Sequence, residues 1–130
     1  MKKLLLLFAI PILFAATAFA GQRSGVIGTP VNVTPYNAGG GVSGAYNSAD
    51  VYMRISCSAF AAPGAPGFTY CSATDATGKS GTCYSEDPAV FQAALGINNT
   101  SYVFFGWDKK GVCNQLAVHQ DSYNDGKIHP

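Results

Sequence analysis

The chain has 130 residues and a formal net charge of +1, and only 12% of its residues are charged. That is about half the usual share for a soluble domain, so the surface must be built mainly from Ser, Thr, Asn, Gly and Tyr. With no block of Lys or Arg to neutralise phosphates, nucleic acid is a poor partner and none is expected, and adhesion to an anionic membrane surface fails for the same reason.

Residues 1–20, MKKLLLLFAIPILFAATAFA, have the layout of a cleaved signal peptide. Lys2 and Lys3 form a basic start, residues 4–14 an apolar run, and Ala18-Phe19-Ala20 a small-x-small cleavage site. The apolar run is short for a bilayer span. The expectation is therefore export from a bacterium to the periplasm or the medium, with no membrane insertion after cleavage. Taking Lys2 and Lys3 from eight basic residues leaves six against seven acids, so the mature chain is near −1.

Residues 21–45 read as an extended, Gly/Pro-rich segment. Pro30 and Pro35 disfavour a helix and confine any strand to an edge, with Val31 and Val33 on one side. Gly39-Gly40-Gly41 reads as a hinge or loop. From Val51 the pattern sharpens: Val51, Met53, Ile55 and Cys57 alternate with Tyr52, Arg54, Ser56 and Ser58, the period of a half-buried strand. AAPGAPG interrupts it, FTYCSAT resumes it as a second strand, DATGK turns, and SGTCY gives a short third. If the first hairpin sets Phe60 opposite Phe68, Cys57 faces Cys71; if the next turns at residues 76–78, Cys71 faces Cys83.

In SEDPAVFQAALGI the period becomes helical. Asp87 is a good N-cap, Pro88 suits the first helical position, and Val90, Phe91, Ala94 and Leu95 make one apolar stripe. Gly96 reads as a left-handed stop, with Ile97 folding back on Phe91. SYVFFGW then forms a strand with Ser101, Val103, Phe105 and Trp107 on one side and Tyr102, Phe104 and Gly106 on the other. DKKG reads as a type I turn with Gly111 left-handed. After it Val112, Leu116 and Val118 alternate with Cys113, Gln115 and Ala117, and residues 124–130 form a loose tail.

Cys57, Cys71, Cys83 and Cys113 are an even set in a small exported domain, which reads as two disulfides. Their spacings lack the C-x2-C pairs of a metal site. Two connectivities compete: 57–71 with 83–113, and 57–113 with 71–83. The expected fold is α+β: one disulfide-stapled domain over residues 46–123, with an antiparallel sheet of four to five strands and one short helix. The Tyr102–Trp107 run is apolar on both faces, so its strand should be central, with the helix over one face.

Residues able to carry chemistry are few. His119 and Asp121 form an H-x-D pair that could orient an imidazole in a small hydrolase. The acids otherwise fit local structure: Glu86 and Asp87 at a helix start, and Asp50, Asp75 and Asp108 at turns. No metal set, phosphate loop or serine elbow stands out. The chain therefore reads as a non-enzymatic binding or interaction protein without a cofactor. Its partner would be another protein or a neutral glycan, and the binding candidates are Tyr102, Trp107, Lys109 and Lys110. Trp107 with Tyr102, Tyr46 or Tyr52 could form a sugar-stacking platform.

NSADVYMRISC, YCSATDATG, CYSEDPAV and SYVFFGWDKKGVC together resemble short exported bacterial proteins of unassigned function with two disulfides. That resemblance implies one stapled domain and no particular activity. A partial likeness to periplasmic inhibitors of C-type lysozyme rests on their S-G-x-x-Y and W-x-K-G motifs. SGAY (Ser43 to Tyr46) is one residue short of the first, and WDKKG (Trp107 to Gly111) one residue long for the second. It implies inhibition of a hydrolase as one form of the interaction role.

Overall fold

The computed structural model describes residues 29–120. The expected signal segment, Asp121 and the expected tail lie outside them. Among the described residues seven strands and two short helices follow in order: β1 (Asn32–Val33), β2 (Asn37–Gly41), α1 (Val42–Tyr46), β3 (Arg54–Phe60), β4 (Phe68–Thr74), β5 (Ser80–Ser85), α2 (Pro88–Leu95), β6 (Ser101–Trp107) and β7 (Cys113–Gln120). They form two antiparallel sheets, ordered β1-β2-β6-β7 and β3-β4-β5. The fold is thus β-rich, antiparallel and stapled by two disulfides, as expected in outline. The single sheet of four to five strands covered by a helix is corrected. The two sheets cover each other, and α2 lies against β7, β3 and β4 across their seam.

The three-stranded sheet follows the alternation in its sequence. Cys57 faces Cys71, which faces Cys83, and Phe60 faces Phe68. Directly opposed residues share a face. One side of the sheet therefore carries Ile55, Ala73 and Gly81, then the three cysteines, then Ala59, Thr69 and Ser85. Most of these are buried, while their neighbours in sequence are largely exposed. The β4–β5 turn closes as read, with the Gly78 amide donating to the Asp75 carbonyl at 2.9 Å and Gly78 at φ 83°. The first strand starts later than the alternation suggests. Asp50 accepts the Tyr52 and Met53 amides in a turn, β3 begins at Arg54, and Val51 is left exposed.

In the four-stranded sheet the central strands are β2 and β6. The reading of Gly39-Gly40-Gly41 as a hinge or loop is corrected: these glycines form a strand paired along its length with β6. The reason is room. A Cβ on Gly40 would fall 2.8 Å from the Val31 Cα, and one on Gly39 would collide with the Tyr102 hydroxyl. Side chains from neighbouring strands fill the space that β2 leaves empty. Pro30 and Pro35 bracket β1, an edge strand as anticipated and two residues long, and Val31 and Val33 are both buried.

Alternation on β6 sends Val103 and Phe105 into the core, both fully buried. Trp107 follows them, its ring lying over Gly81 of the opposite sheet and 5.6 Å from the Phe105 ring. β7 departs from its expected alternation. Gly106 pairs with Gln115 but Trp107 pairs with Cys113, so Asn114 is an extra residue in a bulge. The bulge reverses the facing of what precedes it. Cys113 therefore points inward with Leu116, and Val112 is exposed.

That inward Cys113 decides the pairing left open by the spacings: the disulfides are Cys57–Cys71 and Cys83–Cys113. The first lies within one sheet, between β3 and β4. The second joins β5 to β7 and ties the two sheets together. Native disulfides in small domains are each worth roughly 2–5 kcal/mol.

Helix α2 is capped by Asp87, whose Oδ1 accepts the Ala89 amide at 2.7 Å, with Pro88 in the first turn. Ala94 is buried, and Phe91 lies against Gly67 in the β3–β4 connection. Two details are corrected. Leu95 is 59% exposed and no part of the apolar stripe. Gly96 ends the helix in a right-handed conformation, φ −80° and ψ −6°, because its amide still reaches the Ala93 carbonyl. The DKKG turn closes as read, with Gly111 at φ 79°.

These glycines separate close approach from backbone freedom. Gly40→Ala should lower stability by about 1–3 kcal/mol through overpacking against Val31, whereas Gly96→Ala should be neutral or slightly stabilising. Urea unfolding of the two variants checks both signs.

Candidate functional site

The expected binding residues do not converge. Tyr102 projects from the outer side of the four-stranded sheet, opposite His119, with the two rings 6.1 Å apart and edge-on. Trp107 lies on the other side of the same strand, between the sheets. Tyr46 and Tyr52 stand exposed on α1 and ahead of β3. A platform joining Trp107 to Tyr102 is therefore corrected, because odd and even positions of one strand face opposite ways. SGAY and WDKKG are also apart. Gly41, just before α1, pairs with Tyr102, and the WDKKG turn starts at Trp107, about 17 Å further along β6 at the usual rise per residue.

Lys109 and Lys110 sit exposed on the β6–β7 turn. That turn leans on β5: the Tyr84 amide donates to the Gly111 carbonyl at 3.0 Å, and Val112 forms a bridge with Tyr84. The lysines thus belong beside a surface that sequence reasoning missed, the outer face of the three-stranded sheet. There the Phe60 and Phe68 rings stack with centroids 4.8 Å apart, and Phe68 meets Tyr84 at 5.3 Å. Tyr70 lies opposite Tyr84 on the next strand. Phe60, Tyr70 and Tyr84 are 46%, 45% and 40% exposed, so the rings are presented to solvent rather than packed away. Exposed Val112 extends the patch past β5.

Beyond the rings the same face carries hydroxyls. The Ser56 and Ser72 hydroxyls are 3.2 Å apart across β3 and β4, and exposed Ser80 lies 2.9 Å from the hydroxyl of Thr74, which is itself buried. Ser58 and Thr82 fill the positions between, and Arg54 stands at the far end. At the aromatic end Glu86 accepts the Tyr84 hydroxyl at 2.6 Å, which corrects its reading as a helix-start charge. That carboxylate holds the Tyr84 phenol above its ordinary range, because losing the proton would lose the bond and set two negative charges together.

The signal for this face was in the alternation. Once Cys57, Cys71 and Cys83 turn inward, Ser58, Tyr70 and Tyr84 must turn outward, and Phe60 and Phe68 follow with the same parity. The parity that pairs the cysteines thus also sets the facing of the residues between them.

The described acids are engaged locally. Asp75 accepts the Thr77 hydroxyl at 2.6 Å and the Thr77 and Lys79 amides at 2.9 and 3.1 Å. Asp108 accepts the Lys110 and Val112 amides at 2.8 and 3.0 Å. The Thr77 hydroxyl chiefly holds Asp75 below the usual carboxylate range, and the Val112 amide chiefly does so for Asp108; partial burial opposes both. The sulfurs of Cys71, Cys83 and Cys113 lie within 4.8 Å of one another, as metal ligands do. All three are bound in disulfides, so none offers the thiolate a metal requires. Compared with known families, curated proteins and solved structures, the chain matches none.

Carboxylates depressed in the folded state stabilise it fully above their unfolded values, near 3.8, and lose that contribution as the pH falls further. The thermal midpoint should therefore decline on acidification below about pH 4. An Asp75→Asn/Asp108→Asn double variant, which keeps an accepting oxygen at each turn, should show a flatter decline in a pH series of melting curves.

Proposed function

We propose that this protein is an exported, non-enzymatic binding domain that takes a neutral glycan on the outer face of its three-stranded sheet. The observation that carries the reading is the row of Phe60, Phe68 and Tyr84, with Tyr70 beside it, left open to water on a face that continues into paired hydroxyls. Exposed contiguous aromatic surface marks interaction sites. Rings of this kind stack on the C–H faces of a sugar, and Ser and Thr hydroxyls both donate and accept as sugar hydroxyls do. Charge stands at the ends of the face, in Arg54 with Lys79 beside Ser80 at one end and in Glu86 with the nearby lysine turn at the other, which leaves the middle of the face to an uncharged partner.

The rigidity of the face supports the same reading. Tyr84 is held by Glu86, and Phe68 is braced by rings on both sides. A surface already ordered loses little conformational freedom on binding. His119, the imidazole of the hydrolase alternative, stands exposed on the four-stranded sheet with the Tyr102 ring beside it, away from this face.

Native affinity electrophoresis of the oxidised protein against neutral polysaccharides tests the proposal. Retardation should occur, and Tyr70→Ala and Phe60→Ala should each weaken it about tenfold or more, as central aromatic contacts do. Both side chains are half exposed, so folding should tolerate the changes. His119→Ala should bind like the parent. No retardation by any neutral polysaccharide, or retardation indifferent to both aromatic variants, would refute the reading. A patch-dependent rise in mass with protein concentration would instead assign the face to self-association.

A further inference from the structure

The four sulfurs form one connected group rather than two remote staples. Cys71 lies directly opposite both Cys57, its disulfide partner, and Cys83, a member of the other disulfide. The Cys71, Cys83 and Cys113 sulfurs are mutually within 4.8 Å. Their exposure is unequal: Cys71, Cys83 and Cys113 are buried, while Cys57, packed against the edge of the core, is only half-buried. An external thiol can therefore approach the group only at its Cys57 end.

We propose that the two disulfides act as a single thiol–disulfide exchange site, entered at Cys57 and discharged at Cys113. A thiolate from solvent attacks the Cys57 sulfur, forms a mixed disulfide there, and breaks the Cys57–Cys71 bond, whose electron pair leaves on Cys71. The Cys71 thiolate then attacks its cross-strand neighbour Cys83. A Cys71–Cys83 bond forms, the Cys83–Cys113 bond breaks, and Cys113 leaves as a thiolate that takes a proton from water. Two protein disulfides become one protein disulfide, one mixed disulfide and one thiol, so sulfur bonds and electrons balance. The substrate class is a thiol, small or protein-borne.

The step has a structural consequence. Cys83–Cys113 is the covalent tie between the sheets, whereas Cys71–Cys83 would lie wholly within the three-stranded one. Contact with a thiol at the surface would then release β7 from β5. Burial of Cys71 between both possible partners favours attack within the group over escape to solvent. The tendency needs no metal and no movement of the β4–β5 ladder, which already holds the two residues opposite each other.

The test treats the native protein with reduced glutathione, quenches with acid at intervals, alkylates the free thiols and maps the peptides by mass spectrometry. The expected intermediate carries glutathione on Cys57, a Cys71–Cys83 link and an alkylated Cys113. A Cys57→Ser variant, which leaves Cys71 without its partner, should contain the Cys71–Cys83 link with Cys113 free. Intermediates that all keep Cys83–Cys113 while Cys71 is alkylated would overturn the proposal. The same holds for a folded Cys57→Ser protein holding only Cys83–Cys113. If that variant fails to fold, the glutathione series on the parent decides alone.

Discussion

The inward facing of three cysteines in one row fixes the rest of the architecture. A strand has only two faces, so directing Cys57, Cys71 and Cys83 to the interior leaves no choice for the residues between them. Small neighbours on the same side, Ala59, Ala73 and Gly81, let the opposite sheet approach. Trp107 uses that space, lying over Gly81, and the Asn114 bulge turns Cys113 to meet Cys83. Covalent closure between the sheets thus depends on one extra residue in β7 and one missing side chain in β5. A small domain has limited apolar area to bury, and this one adds two disulfides to a compact layer around Phe105 and Val103.

The same facing rule ties the core to the candidate site. Every residue pushed out by the cysteine row lies on one face, where Phe68 stacks on Phe60 and meets Tyr84 at a tilt. The two sheets differ in how they treat outward aromatics. On the four-stranded sheet Tyr102 and Phe104 lie half-buried over the glycines of β2, where the missing side chains give them a floor. On the three-stranded sheet no glycine strand receives the rings, and they remain open. Glycine content in a neighbouring strand, and not ring content alone, decides which aromatic face stays available.

Much of this was legible in the amino-acid order. Alternation placed β4 and the cross-strand pairs Phe60–Phe68, Cys57–Cys71 and Cys71–Cys83, and Asp87-Pro88 placed the start of α2. Turn chemistry at Asp75, Asp108, Gly78 and Gly111 was equally readable, because each depends on residues within a few positions. What escaped was non-local. The glycine strand β2 has no pattern of its own and exists because β6 and β1 fill its empty positions. The β7 bulge depends on where Cys83 waits. A second sheet as cover for the first cannot be told from a covering helix by the hydrophobicity of one strand. The binding candidates suffered accordingly: Lys109 and Lys110 border the aromatic face, while Tyr102 and Trp107 were joined by proximity in sequence that the strand geometry divides.

Hydroxyl-radical footprinting of the oxidised protein, read residue by residue, tests the central claim most directly. If the cysteine row faces inward and sets the parity, Phe60, Tyr70 and Tyr84 take up oxygen readily while Phe105 and Val103 stay protected until the protein unfolds. Protection of Tyr70 and Tyr84 together with rapid labelling of Phe105 would contradict the account, because it would place the rings inside and the supposed core outside.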